Sequence, residues 1–169
     1  MEKPLWQPSP QRIAGANLVA FARQARERWG VAADDFAGLH RWSVTEPAQF
    51  WQSVWSYCDV IGDQRGGPAL ADGTRMPGAR WFPDAQINFA ENLLRRRDRS
   101  IAIVFWSEDR LKTTVTYAEL YSEVSRLSQA LRAAGVKPGD RVAGYMPNVP
   151  GTVIAMLAAA SLDQQARAG

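Results

Sequence analysis

Few residues in this chain have a type and spacing that could do chemistry. His40 is the only histidine and Cys58 the only cysteine. A nucleophile pair or metal site would need the two to meet in space. No carboxylate stands near His40 at ligand spacing, so a surface or capping histidine is expected. Asp34-Asp35 and Glu108-Asp109 pair carboxylates, but adjacent side chains point apart and make poor acid–base partners. The run Arg95-Arg96-Arg97-Asp98-Arg99 could grip phosphate. Cations at the end of a helix also complement its dipole, and one basic run is thin support for nucleic-acid binding, so the helix-end role is preferred. The seven tryptophans could form a ligand platform, yet most sit at helical spacing beside apolar residues, where core packing is the default. Lys137-Pro138-Gly139-Asp140 lacks the glycine spacing and terminal Lys-Ser/Thr of a phosphate loop. Residue chemistry by itself therefore assigns no catalytic, cofactor-binding or metal-binding residue.

The elements that would position a site are clearer. The fold class expected is α/β, with a helical N-terminal segment. Ser9-Pro10 starts a helix. Leu18, Phe21, Ala22, Ala25 and Trp29 mark one face of a second, which Gly30 closes. Residues 34–43 are ambiguous, at most one short helical turn. Thr45 is expected to cap a third helix, with Phe50, Trp51, Val54, Trp55 and Cys58 on its buried face. Trp29, Trp51 and Trp55 are thus expected to be buried together. Residues 62–83 are rich in glycine and proline and read as a wrapped connector, pinned by Trp81 and Phe82, with a tight turn at Ala71-Asp72-Gly73-Thr74. Asn88 and Glu91 stand at cap spacing ahead of a short helix carrying Leu93 and Leu94.

Ile101–Trp106 is a wholly apolar strand, and Leu111–Thr116 its hairpin partner. Thr116 and Glu119 have capping-box spacing, and Leu120, Val124, Leu127, Leu131 and Ala134 recur on one helix face. Gly135 is placed for a left-handed C-terminal residue. Arg141–Met146 is expected to be a strand, with Gly144 admitting a neighbouring backbone. A last helix follows, with Asn148 as cap, Pro150 in its first turn, and Val153, Ile154, Met156 and Leu157 on a broad apolar surface. With the strand's edge unpaired, self-association is expected.

The chain has 169 residues, enough for one core. Its formal charge of +3 with both signs interspersed indicates an ordinary solvated surface. A single cysteine permits no intrachain disulfide and fits a reducing cytoplasmic setting. Met1–Trp6 has no apolar run, so no secretory signal is expected, and Thr152–Leu162 is far too short to span a bilayer. Neither a membrane nor nucleic acid is an expected partner.

The sequence resembles the N-terminal part of the acetoacetyl-CoA synthetases, acyl-CoA ligases of the adenylate-forming superfamily. The residues that carry the resemblance are Pro4-Leu5-Trp6, Ser9–Ile13, Leu39–Val44, Phe50–Trp55, Met76–Pro83, Asn88–Leu94 and Gly139–Asn148. It implies a helical region of acetyl-CoA-synthetase type over 1–61, the connector and short helix over 62–99, the start of an AMP-binding domain over 100–162, and a polar tail over 163–169. That start would hold a hairpin, helix, strand and helix. It also implies a two-step reaction in full-length members. ATP and a carboxylate such as acetoacetate give an acyl-adenylate and pyrophosphate, and the thiol of coenzyme A then displaces AMP. Magnesium there offsets phosphate charge. The family's Ser/Thr/Gly-rich phosphate loop, adenine and ribose segments and C-terminal lysine have no counterpart among these residues. Thr113–Thr116 is not that loop, because no glycine follows. No site residue carries over, no cofactor is expected on this chain alone, and a truncated, inactive ligase fragment is implied. Gly151 stands where relatives tend to have glutamate, and the polar residues after Leu162 depart from the family's aromatic strand. A fragment of an acetyl- or propionyl-CoA synthetase and a non-catalytic interaction module are the alternatives.

Overall fold

A computed structural model describes residues 5–33, 35–108 and 112–162. Pro4, Asp34, the 109–111 segment that joins the hairpin strands and the 163–169 tail lie outside the described residues. The chain divides into two compact units, residues 1–85 and 86–169.

The first unit is helical. Helix α1 (Pro10–Ala14) begins where the Ser9 side chain accepts from the Arg12 N–H. Helix α2 (Asn17–Trp29) ends at Gly30, whose φ of 67° lets its N–H reach the Arg26 carbonyl at 2.8 Å. Helix α3 (Phe36–Thr45) covers the stretch that looked ambiguous. Asp35 caps it, its Oδ1 accepting from the Gly38 N–H at 2.7 Å. Helix α4 (Pro47–Tyr57) follows directly. Thr45 is therefore not its cap: it closes α3, its hydroxyl donating to the Arg41 carbonyl, and Glu46 is the joint between the helices.

Phe21 centres the core of this unit. Its ring meets Phe50 at 5.8 Å and Tyr57 at 5.3 Å, both edge-on, and Trp42 at 6.3 Å. Ala25, Ala33, Leu39 and Trp42 complete the buried set. The Tyr57 hydroxyl keeps its polar end satisfied by donating to the Asn17 carbonyl at 2.8 Å. The tryptophans expected in this core are elsewhere. Trp29 and Trp51 are 36% and 43% exposed and Trp55 is half-buried. Trp29 is the last residue of α2, and its indole N–H donates to the Ser53 hydroxyl at 2.8 Å. Trp51 and Trp55 instead hold the connector, against Trp81 (5.6 Å) and Phe82 (4.8 Å). Cys58 is exposed.

The connector contains β1 (Gly62–Asp63), β2 (Leu70–Ala71) and β3 (Arg80–Trp81). Strands β2 and β3 pair antiparallel, Leu70 opposite Trp81. The turn leaving β2 is closed by the Arg75 N–H on the Asp72 carbonyl at 2.9 Å.

The second unit opens with β4 (Gln86–Ile87) and α5 (Phe89–Leu93). Strands β5 (Ile101–Trp106) and β6 (Lys112–Thr116) form the expected antiparallel hairpin, with a bulge between Ile101 and Ile103. Helix α6 (Tyr117–Ala133) starts at a complete capping box: the Thr116 hydroxyl accepts from the Glu119 N–H while the Glu119 carboxylate accepts from the Thr116 N–H at 2.8 Å. Glycine 135, at φ 90°, ends it. Helix α7 (Pro150–Ala160) packs Leu157 and Ala158, both at 0% exposure, against Leu120 and Val124 of α6 and Ala90 and Leu94 of the α5 segment. Its cap is Val149, without a side-chain bond, so Asn148 does not cap it.

The strand expected at Arg141–Met146 is not formed. Residues 141–146 are irregular and exposed, and among the described residues none of their backbone groups is hydrogen-bonded to another backbone group. A strand is defined by its partner, and none of the described strands lies beside this segment. No backbone approaches Gly144, where a Cβ would meet only the Met146 side chain, at 3.5 Å.

Iodide quenching of single-tryptophan variants should show Trp42 protected and Trp6 and Trp106 freely quenched, given exposures of 4%, 67% and 66%. Equal quenching of all three would contradict the Phe21-centred core. In the second unit the Asn88 side chain caps α5 and donates to the Ala160 carbonyl, so Asn88→Ala should lower stability by about 2 kcal/mol in urea unfolding, through the lost cap and the orphaned carbonyl. Thr116→Ala should cost about 1 kcal/mol.

Candidate functional site

The candidate groups sit at separate places in the fold. His40 is exposed on α3, its ring stacked on Phe36 at 6.3 Å. Among the described residues no three His, Cys, Asp or Glu side chains gather into a metal-binding group. Asp35 is committed to capping α3, and Glu108 is exposed. Their neighbours Asp34 and Asp109 lie outside the described residues.

The arginine run follows α5 and folds back onto α6. Tyr117 and Tyr121 stand one helical turn apart on α6. The Arg96 guanidinium lies 4.7 Å from the Tyr117 ring centre, and that of Arg97 lies 3.9 Å from Tyr121. Arg96 also bonds the Asp98 carboxylate at 3.0 Å and the Ser100 hydroxyl at 2.7 Å. Asp98 accepts from the Ser100 hydroxyl and, at 2.8 Å, from the Ser100 N–H. These bonds, with the Arg96 charge behind them, hold the Asp98 carboxyl at about 2, below its ordinary 3.8. Backbone bonds from Tyr117 to Ser100 and from Ala118 to the Asp98 carbonyl complete the link. The run is a clasp that fastens the start of β5 to the start of α6. The helix-end charge role captures its position but not this tie.

The Lys137–Asp140 turn is likewise closed on itself. The Asp140 carboxylate accepts from the Lys137 N–H at 2.8 Å, and the Asp140 N–H donates to the Lys137 carbonyl. A carboxylate at the position where a phosphate would seek an amide donor repels an anion. At Gly151, in the first turn of α7, a Cβ would meet nothing closer than 3.9 Å, so a side chain fits there.

A cleft of about 320 Å³ lies in the first unit between α2 and the start of α3, with Ala22, Ala33 and Leu39 in its wall and Arg23, Asp35 and Phe36 among its lining. Reading the sequence did not anticipate it, because its two walls are separated by a helix end and a loop. Its lining offers no catalytic grouping. Asn88, expected only as a cap, does more. Its Oδ1 accepts from the Glu91 N–H at 3.0 Å, and its Nδ2 donates to the Ala160 carbonyl at 2.8 Å. No local pattern could reveal a bond between residues 72 positions apart.

Comparison with known proteins supplies what the residue chemistry does not. Residues 36–93 match the family described as acetyl-coenzyme A synthetase N-terminus, and residues 89–164 match the AMP-binding enzymes. The acetoacetyl-coenzyme A synthetase of Rhizobium meliloti (strain 1021) is 47% identical over 161 residues, covering 95% of this chain and 25% of that protein. A malonamoyl-CoA synthetase of Penicillium aethiopicum is 33% identical, covering 95% of this chain and 23% of that protein. Among solved structures, an acetoacetyl-CoA synthetase from Streptomyces lividans superposes with a TM-score of 0.82 at 44% identity, over 96% of this chain and 26% of that one. The chain thus spans about a quarter of the length of the curated relatives it matches. It is similar to the N-terminal region of the acetoacetyl-CoA synthetases, helical first and then α/β.

The clasp has a pH signature. A carboxyl held low in the folded state stabilises above its ordinary value of 3.8, and that contribution is lost as pH falls toward about 2. Glu119, lowered by the Thr116 backbone and hydroxyl bonds, acts in the same direction. Acid unfolding of Asp98→Asn followed by circular dichroism should show a shallower loss of stability across that window than the parent. Parallel curves would remove Asp98 from the clasp.

Proposed function

We propose that this chain is the N-terminal part of an acetoacetate–CoA ligase, which joins acetoacetate to coenzyme A at the expense of ATP. The observation that carries this reading is the 47% identity to the Rhizobium meliloti acetoacetyl-coenzyme A synthetase, sustained over 95% of the chain. The acyl groups in the names of the two relatives described above, acetoacetyl and malonamoyl, both carry a second carbonyl β to the carboxyl carbon. That favours a β-carbonyl acid over acetate or propionate. In this reading the full-length enzyme uses ATP, magnesium and coenzyme A.

The chain's own role is then architectural. The 1–61 helical region and the 62–99 connector precede the 100–162 start of the AMP-binding domain, whose α6–α7 core positions whatever packs beside it. A cytoplasmic setting goes with this reading, as the lone Cys58 needs no oxidising compartment. Among the described residues no helix is long and apolar enough to cross a membrane.

The test is a chimaera. This chain replaces the matching N-terminal quarter of the Rhizobium meliloti relative, and ATP–pyrophosphate exchange is measured with acetoacetate, acetate and propionate. Exchange led by acetoacetate is expected. The chain alone should give none above a blank without protein. A folded chimaera that prefers acetate or propionate would overturn the acetoacetate assignment.

A further inference from the structure

We infer that the cleft between α2 and the start of α3 is a binding site for a free medium-chain fatty acid, with the hydrocarbon tail on the cleft floor and the carboxylate against Arg23. The cleft lies wholly within the first unit, so this inference goes beyond the ligase reading and does not rest on it. The floor is apolar: Ala33 and Leu39 are 3% and 7% exposed, and Ala22 is half-buried beside them. The rim is apolar and open, with Leu18, Val19 and Phe36 51%, 43% and 74% exposed. The α3 wall is held in place before any ligand arrives. Asp35 caps α3 through the Gly38 N–H, and Gly38 lies so close to the preceding loop that a Cβ there would meet the Ala32 carbonyl at 2.6 Å. A site that needs no rearrangement loses little of its binding free energy to ordering.

Size and charge choose the occupant. A volume of about 320 Å³ stands at the lower end of small-molecule sites. Leu18, Ala22 and Arg26 recur at four-residue steps, so the α2 wall is two helical turns, about 12 Å, long. A stable protein interface engages about 20–30 residues a side, whereas nine line this cleft. The apolar lining favours hydrocarbon. Two arginines against one carboxylate make the lining cationic, and the charge of that carboxylate, Asp35, is offset by the α3 N-terminus it caps. Arg26 is already engaged, whereas Arg23 makes no hydrogen bond or ion pair to another described residue. An anionic head is therefore drawn to Arg23, with which it forms a charge-assisted pair. Among the described residues the lining holds no nucleophile or acid–base pair, so the fatty acid is held there and not transformed.

The experiment titrates octanoate, below its micelle-forming range, into the full 169-residue chain and follows amide resonances by nuclear magnetic resonance. Saturable shifts are expected at Leu18, Ala22, Arg23, Phe36 and Leu39. Octanoate should bind about tenfold more tightly than octylamine, which has the same tail and a cationic head. It should bind about fifteenfold more tightly than hexanoate, at about fourfold for each buried methylene. Arg23→Gln should weaken binding about fivefold, and Arg23→Lys, which keeps the charge, should stay within about threefold of the parent. Val19→Trp, at an exposed rim position, should fill the cleft and abolish the response while circular dichroism stays helical. If that variant does not fold, the head-group and tail series on the parent chain decides. Equal affinity for octanoate and octylamine would overturn the inference, as would a response that does not saturate or shifts centred outside residues 18–39. So would parent-like affinity in Arg23→Gln or in folded Val19→Trp. Broadening of the same amides with protein concentration, without an octanoate response, would make the cleft a contact between copies of the chain and likewise overturn it. The chimaera assay contains acetoacetate and no fatty acid, so exchange there and octanoate binding here can each fail alone.

Discussion

The second unit depends on what one buried amide can bond. Asn88 is 4% exposed, and a primary amide in that position must satisfy both its oxygen and its nitrogen. It does so by capping α5 with one and holding the last turn of α7 with the other, through the Ala160 carbonyl. That bond sets where the end of α7 lies, and Leu157 and Ala158 then fall against Leu120 and Val124 at no exposure. The polar tie aligns the helices and the apolar contact stabilises them. Neither would hold the register without the other, because hydrophobic burial has no direction.

Around that core the unit places its charged residues in service of the fold. The Arg96–Asp98–Ser100 bonds and the two arginine–tyrosine contacts fasten β5 to α6 across a stretch that has no regular structure. Each such exposed interaction is modest on its own, but several converge on one short segment. The consequence for function is that the most conspicuous basic run in the chain is engaged with its own fold. The first unit follows the same economy with aromatic residues. Phe21, Trp42, Phe50 and Tyr57 make the core, and Trp51 and Trp55 hold the connector.

What distinguishes the chain is the contrast between this well-satisfied interior and the open residues of β5 and 141–146. A domain that has buried Leu157 to 0% exposure leaves Trp106 at 66% and Tyr145 at 108%. Isolated exposed apolar residues are ordinary, but a strand apolar on both faces is not. The chain matches about a quarter of each of these long relatives.

The sequence alone determined much of what depends on residues within one helical turn of each other, though not the caps of α3, α4 and α7. The Ser9, Asn88 and Thr116 caps, the Gly30 and Gly135 helix ends and the β5–β6 hairpin were all legible, because capping and turn chemistry are local. The likeness to the acetoacetyl-CoA synthetases was legible from motifs spread along the chain. Tertiary structure decided the rest. Trp42 rather than Trp29 is buried because the stripe of α2 meets α3, whose ten residues gave no pattern strong enough to be read as a helix. Thr45 lost its expected capping role because α3 runs through to it. Residues 141–146 kept the composition of a strand and failed to become one. Composition makes a segment willing to pair, but the hydrogen bonds that make it a strand come from a neighbour that the sequence of the segment cannot specify.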